Sequence, residues 1–259
     1  MINKKPISVI IPTYNDFSAF VCTYQSICNQ LMVDDELIII DSSDDLSKVK
    51  NYINTDKPKF KISNFWISPC GIYPAMNYGI NKCNNLFIQI LNSGDLYLPS
   101  TREKISRAFH EFPVAKIYVF EQLAGYEGIQ NMRFSPTENS LWPHQSVLVH
   151  FDIYKMLGGY NEKFKLISDQ VFFANARKLK KHVIISQPIT SYDLDGVSSK
   201  LSFVNIKETY ILWRVMGSSR SYSLVKSIFL IMKVFVKNII GNQNLTKLRI
   251  MLFKYYSEG

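Results

Sequence analysis

The residues of this chain that could do chemistry are carboxylates placed at the ends of short apolar runs. Asp16 follows Ile7–Ile11, Asp41 follows Glu36–Ile40, and the run LFIQIL ends in Asn92-Ser93-Gly94-Asp95. A carboxylate just past the C-terminal end of a buried strand lies where open α/β sheets place their ligands. A glycine beside it lets a backbone come close. The combination suits a divalent cation carrying a nucleotide diphosphate. An ordinary strand-to-helix turn would use the same residue types, so three such ends on neighbouring strands say more than any one. A further carboxylate, Asp169, follows Ser168 ahead of Gln170–Leu179; Ser168 is expected to cap that helix, with Asp169 in its first turn.

The elements that must position these groups follow from apolar periodicity. ISVII, ELIII and LFIQIL are continuously apolar, as strands buried on both faces are. Phe17, Phe20, Val21, Tyr24, Ile27, Cys28 and Leu31 recur at helical spacing behind the cap formers Asn15 and Asp16. Lys59–Trp66 and Lys116–Phe120 read as further strands, Gly71 opens a short helix, and Pro99 opens another that runs to His110. This βα alternation predicts an α/β fold with a mostly parallel central sheet and flanking helices. Residues 123–140 read as loops or a hairpin, Ser146–Val149 and Val183–Ile185 as later strands, and Gly158-Gly159 as a break.

Composition narrows the function classes. The chain has 259 residues, 47% of them hydrophobic, and a net charge of +9, which points to an anionic partner. Four cysteines without CxxC spacing are expected as buried reduced thiols. The N-terminal apolar run is too short for a signal peptide, so a cytoplasmic protein is expected. No GxxxxGK[ST], no GxGxxG after the first strand, no HExxH and no GxSxG occurs. P-loop, dinucleotide, zinc-hydrolase and serine-hydrolase chemistry are thereby disfavoured. Arg102 and Arg133 could reach phosphates, although no spacing singles them out.

The tail differs in character. Residues 201–259 read as a helical extension to a domain of residues 1–200. Leu224–Ile240 is strongly apolar yet carries Lys226, Lys233 and Lys237 on one helical stripe. A bilayer span needs about 20 residues with few charges, so this basic amphipathic segment fits a helix lying on an anionic membrane surface. Lys247, Arg249, Phe253, Lys254, Tyr255 and Tyr256 continue the pattern. A helix packed on the domain or in a homodimer is the other expectation. Because much of the charge sits in an apolar tail and not in a polar groove, nucleic acid is not an expected partner.

Five segments in order, SVIIPTYND, IIIDSS, GIYPAMNYGI, ILNSGD and HQSVLV…LGGYNEKFKLISDQVF, resemble the family 2 inverting glycosyltransferases over about residues 6–190. The similarity leans to the bacterial branch that builds O-antigen, capsule and colanic-acid-type polysaccharides. The resemblance implies a GT-A fold and transfer of a sugar from a nucleotide-sugar, UDP-linked by expectation, to a glycan carried on a polyprenyl diphosphate. It implies a protein peripheral on the inner face of the cell membrane. Pro12, Thr13, Tyr14 and Asp41, with Asn15 and Ser43 beside them, would hold the nucleotide. Met76 and Asn77 would lie by the diphosphate and donor sugar, along with Asn92, Ser93 and Gly94. Asp95 would bind Mn²⁺ or Mg²⁺, Asp169 would be the general base, and His144-Gln145 would face the acceptor. Asn92 and Gly94 stand where many relatives have aspartates, leaving one strong metal ligand at that turn. A nucleotide-sugar-binding partner with weakened or lost catalysis is the rival expectation.

Overall fold

In a computed structural model of the chain, which describes residues 5–126, 129–193 and 203–240, the first apolar run lies inside the parallel half of the sheet. Strand β1 (Ile7–Thr13) is flanked by two strands that reach it through helical crossovers, so all three run parallel. One is β2 (Glu36–Asp41), the other β4 (Phe87–Ile90), and β3 (Lys61–Trp66) continues the parallel half beyond β2. Helix α1 (Phe17–Cys28) joins β1 to β2, α2 (Leu46–Asn54) joins β2 to β3, and α3 (Ile72–Ile80) joins β3 to β4. The caps are the expected short polar side chains: Asp16 Oδ1 accepts from Ala19 N at 3.0 Å, and Asp45 Oδ1 from Ser47 N at 3.1 Å.

Beyond β4 the sheet becomes mixed. Its order is β3-β2-β1-β4-β8-β6-β9-β5, with β7 on β6. Strand β8 (Val147–His150) is antiparallel to both β4 and β6 (Ile117–Tyr126). Strand β9 (His182–Asp193) is parallel to β6, and the two-residue β5 (Leu96–Tyr97) is antiparallel to β9. The expectation of a mostly parallel sheet therefore describes the first half, while the second half is built from strands inserted in both directions. Residues 123–140 include a hairpin arm, β7 (Ile129–Phe134).

Both faces are covered. Ile7, Val9, Ile11, Leu37 and Ile39 bury one face against α1, α2 and α4 (Thr101–Glu111). Ile10, Ile38, Ile40, Ile88 and Ile90 bury the other against α3, α5 (Phe151–Leu157) and α6 (Ser168–Lys178). Alternate residues of each strand thus feed two cores, which is why the runs carry no polar alternation. The four cysteines are free thiols, but burial was the wrong expectation: Cys22 and Cys70 are exposed, and Cys28 and Cys83 only half-buried.

The chain divides into two compact units, Met1–Ser199 and Lys200–Gly259. In the second, α7 (Phe203–Val215) packs with α8 (Arg220–Ile240), the Trp213 and Tyr222 rings meeting edge to face at 5.7 Å. Leu224, Val225, Ile228, Phe229 and Met232 are exposed on α8, whereas Ser223 and Ser227 are buried. At 100° per residue these exposed groups and Tyr222 span an arc of roughly 160°. Lys226 lies 5.4 Å from the centres of both the Trp213 and Tyr222 rings. The side chains of Lys233 and Lys237, and all of residues 247–256, lie outside the described residues. Among the described residues no helix is long and apolar enough to cross a membrane.

Candidate functional site

The three acidic strand ends do meet. Strands β2, β1 and β4 are adjacent, and Thr13 pairs with Asp41, which pairs with Trp66 at the end of β3. Asp41 is buried, and its Oδ1 accepts from Ser43 N at 2.9 Å, so it shapes the turn after β2 and caps no helix. Across from it, Asn15 sits at φ 50°. Its backbone N–H donates to Ser43 Oγ at 3.0 Å, its amide donates to Asp44 Oδ2 at 2.9 Å, and its Oδ1 accepts from Asp44 N at 3.0 Å. These bonds clasp the β1 and β2 loops together and leave Tyr14 standing 58% exposed at the mouth. Trp66, also exposed, donates its indole N–H to Ser43 O at 3.3 Å. Thr13 Oγ1 is buried without a partner. The result is a polar cradle with two exposed aromatic rings on its rim.

The turn after β4 is held from below. Gly94 adopts φ 100°, a conformation that side chains disfavour, and its N–H donates to Thr23 Oγ1 of α1 at 2.8 Å. Ser93 Oγ donates to Pro12 O at 3.3 Å, tying the turn to β1. Asp95 folds back so that Oδ2 accepts from Asn92 N at 3.0 Å, while Gln145 approaches Oδ1 at 3.4 Å. Burial pushes the Asp95 carboxyl up to about 6, against the pull of His144 and the Asn92 and Gln145 hydrogen bonds. A bound cation would reverse that balance.

Asp169 arrives from the other core. It lies in the first turn of α6, as expected, but Ser168 is not the cap. Ile167 occupies that position, Ser168 is already helical, and its buried Oγ has no partner. Tyr73 of α3 donates its hydroxyl to Asp169 Oδ1 at 2.9 Å, Gln170 donates to Oδ2 at 3.1 Å, and His144 Nδ1 stands 3.4 Å from Oδ2. Burial works to raise the Asp169 carboxyl, but these donors and the His144 charge hold it below the usual range. It is a carboxylate at neutral pH. His144 is also 3.1 Å from Asn92 Nδ2, so one ring touches both the β4 turn and Asp169.

Two expected donor residues lie elsewhere. Met76 is 1% exposed within the core between α3 and the sheet. The Asn77 amide is engaged by the loop after α5: it donates to Tyr160 O at 2.8 Å and Glu162 Oε1 at 2.8 Å, and accepts from Tyr160 N at 2.9 Å. Neither faces the cradle in this structure. The arginines are engaged as well. Arg102 is buried against Asp35, its Nε 2.7 Å from Oδ2, beside the start of β1. Arg133 is paired with Glu121.

Sequence reasoning missed Tyr73, Thr23 and Gln89. Gln89 carried a legible signal, being the one polar residue in LFIQIL, where a buried amide must find partners. It accepts from the Tyr97 hydroxyl at 2.6 Å and donates to Gln145 O at 2.7 Å, fixing the segment that presents His144. Among the described residues no three His, Cys, Asp or Glu groups cluster as a metal cage. The donor set at Asp95 is one hard carboxylate. That fits a cation whose remaining ligands are phosphates and water, the usual condition of Mg²⁺, and does not fit one held by protein alone.

Known proteins share this architecture and part of this sequence. A Rickettsia bellii (strain RML369-C) protein described as an uncharacterized glycosyltransferase is 32% identical over 99 residues, 38% of this chain and 14% of that relative's length. S. aureus TarS 1-349 in complex with UDP-GlcNAc superimposes with a TM-score of 0.66 at 16% identity, covering 86% of this chain and 71% of that one. The mannosyltransferase PcManGT from Pyrobaculum calidifontis, in complex with GDP-Man and Mn²⁺, gives 0.59 at 13% identity, covering 97% and 82%. The fold is that of these GT-A enzymes. A model of glycosyl transferase family 2 matches residues 8–176, and the chain belongs to that family.

Proposed function

We propose that this chain is an inverting glycosyltransferase of bacterial surface polysaccharide synthesis. It would move a sugar from a nucleotide-sugar to a lipid-carried glycan. The observation that carries the proposal is the convergence of two differently tuned carboxylates on one site: Asp95 on the strand-end turn, raised by burial, and Asp169 across it, kept ionised. Asp41, Thr13 and the exposed Tyr14 form the nucleotide cradle in this proposal. A UDP-linked donor is the first candidate, since TarS is held with UDP-GlcNAc, and the GDP-Man of PcManGT is the second.

Asp169 takes the proton of the acceptor hydroxyl as that oxygen bonds to the anomeric carbon. The anomeric C–O bond to the diphosphate breaks on the opposite face, its electron pair leaving with the nucleotide. No covalent intermediate with the enzyme is needed. Mn²⁺ or Mg²⁺ bound by Asp95 together with the donor phosphates would neutralise the leaving diphosphate. Met76 and Asn77 act behind the site, holding α3 and the Tyr160 loop. The apolar arc of α8 supports contact with an anionic membrane surface, where a polyprenyl-linked acceptor would be reached.

The test is nucleotide release from a panel of UDP- and GDP-sugars with Mn²⁺ and membrane-extracted acceptor lipids. Asp169→Asn and Asp95→Ala should each lose at least about 10²-fold in turnover, the scale of a lost general base or charge stabiliser. Both should keep the wild-type fold at the assay temperature, read by far-UV circular dichroism. Normal turnover in Asp169→Asn would reject the base role. Donor binding by the wild type without turnover would favour a binding partner in place of an enzyme.

A further inference from the structure

Helix α6 carries Asp169 in its first turn but begins without a cap of its own. Ile167 stands in the cap position with no side-chain acceptor, and Ser168 Oγ is buried with no partner. The first N–H groups of a helix have no partner within the helix, and a short polar side chain at the cap ordinarily takes one of them. Here the polar atom that meets them belongs to another element. The hydroxyl oxygen of Tyr73, on α3, is acted on by the backbone N–H groups of Ser168 and Asp169. The same hydroxyl lies 2.9 Å from Asp169 Oδ1. A backbone N–H can only donate and a carboxylate can only accept. The hydroxyl does both, so its direction is settled: it receives from the helix start and donates to the carboxylate. Tyr73 is 5% exposed, its ring packed on Tyr160, which packs in turn on Phe172 of α6. That packing fixes where the hydroxyl stands.

We propose that Tyr73 is a positioning residue that caps α6 from outside the helix and aims the Asp169 carboxylate. Its catalytic meaning rests on Asp169 being the base. Tyr73 touches neither substrate nor the reacting atoms, and it keeps its proton while the acceptor proton goes to Asp169. The path of the chain ties this hydroxyl to the cradle. Strand β3 ends on Trp66 beside Asp41, and the Ile67 N–H donates to Asp41 O at 3.0 Å. Gly71, at φ 104°, then turns the chain into α3, and Tyr73 follows in its first turn. The strand that borders the cradle thus leads directly to the hydroxyl that holds the base. Cradle and base are thereby set at a common distance, which in-line transfer requires. His144, which opens the 3-10 turn His144–Ser146, and Gln170 approach the other oxygen, Oδ2, at 3.4 and 3.1 Å. Among the described residues Tyr73 is the side-chain donor on Oδ1.

The experiment crosses Tyr73→Phe, which keeps the ring and removes the hydroxyl, with variants of Asp169 in the full-length chain. Turnover is measured with membrane-extracted acceptor lipids and the UDP- or GDP-sugar that the donor panel selects. Tyr73→Phe should lose roughly 10- to 10²-fold in kcat, the scale of a charge-assisted hydrogen bond or a 1 Å misplacement. Its donor KM should stay at the wild-type value. Because Tyr73 acts through the carboxylate, adding Tyr73→Phe to Asp169→Asn should cost nothing further in kcat. A wild-type kcat in Tyr73→Phe would overturn the positioning role, and so would an equal further loss in the Asp169→Asn background. The contact is read without substrate, by thermal unfolding. Tyr73→Phe should lower the melting temperature more in the wild type than in Asp169→Ala; equal drops would refute the bond. Full turnover by Asp169→Asn would end the base assignment and with it the catalytic role of Tyr73, while a coupled unfolding cycle would still uphold the bond and the cap.

Discussion

Asn77 offers the sharpest separation between what family resemblance implies and what the packing requires. Its amide closes three hydrogen bonds to the loop after α5, two of them to the backbone of Tyr160. Tyr160 is buried, with its ring centre 5.7 Å from Tyr73, 5.9 Å from Tyr154 and 5.2 Å from Phe172. Asn77→Ala strands the Tyr160 N–H and C=O away from water. An abandoned buried donor costs about 1–3 kcal/mol and each remaining bond about 1, so the whole loss is roughly 2–4 kcal/mol, the solvent-facing Glu162 bond adding little. At about 2–4 °C per kcal/mol for a domain of this size, the apparent Tm should fall by roughly 5–15 °C.

Gly159 supplies the control. It adopts φ 74°, and a Cβ there would stand 2.8 Å from Asn77 Oδ1. Gly159→Ala should therefore destabilise through both backbone strain, about 1–2 kcal/mol, and collision. In the double variant the collision partner is gone, so the combined loss should be smaller than the sum of the two. Thermal unfolding of ligand-free protein, followed by far-UV circular dichroism, measures all three. If Asn77→Ala melts within a degree of wild type and only the donor KM rises, the packing role assigned here is wrong. Strict additivity with Gly159→Ala would refute the contact itself.

Two further outcomes follow from the frame and the tail. Glu36 is buried. Desolvation works to raise its carboxyl, but the Ser8 hydroxyl at 2.6 Å and the Asn84 and Asn85 donors hold it below the ordinary 4.5. A depressed folded value means that this stability is complete above about pH 4.5 and is lost as pH falls through the folded value. Glu36→Gln should cost about 2 kcal/mol at pH 7 and show a flatter acid limb in urea unfolding, whereas parallel acid limbs would contradict the assignment. On α8, Ile228→Glu with Phe229→Glu changes only exposed positions, Phe229 being 63% exposed. The pair should keep the wild-type Tm yet release the protein from phosphatidylglycerol vesicles in a sedimentation assay; undiminished pelleting would remove α8 from the membrane contact.

Strands β1, β2 and β4 of the parallel half were legible because each is a mainly apolar run that ends on short polar side chains, and Asp16 and Asp45 cap the helices after the first two. The second half was not. Strand β5 is two residues whose partners are Ser191 and Thr190, and nothing local marks them. Strand β9 was visible as Val183–Ile185 but runs to Asp193. It absorbs Pro188 opposite Glu121, where the register shifts on either side, which is where a proline without an N–H can be tolerated. At the site, Asp95 and Asp41 could be found from strand ends. The meeting of His144 with Asp169 depends on two helical starts brought together across a core, and residue spacing along the chain carries no trace of it. Ser168 failed as a cap because propensity ranks residue types and cannot say which of two neighbours begins the helix.

The strand order also has a consequence in time. The parallel half closes through consecutive crossovers among β1, β2, β3 and β4. Asp95, however, leads straight into β5, and β5 has no sheet partner until β9 is made. Long-range pairing bears its loop-closure entropy before it gains contacts. The turn before Asp95 is tied to α1 and β1 through Thr23 and Pro12, whereas the strand that follows it waits for the most distant pairing in the sheet. In the native state, amides of β5 and β9 should be among the first of the sheet to exchange with solvent.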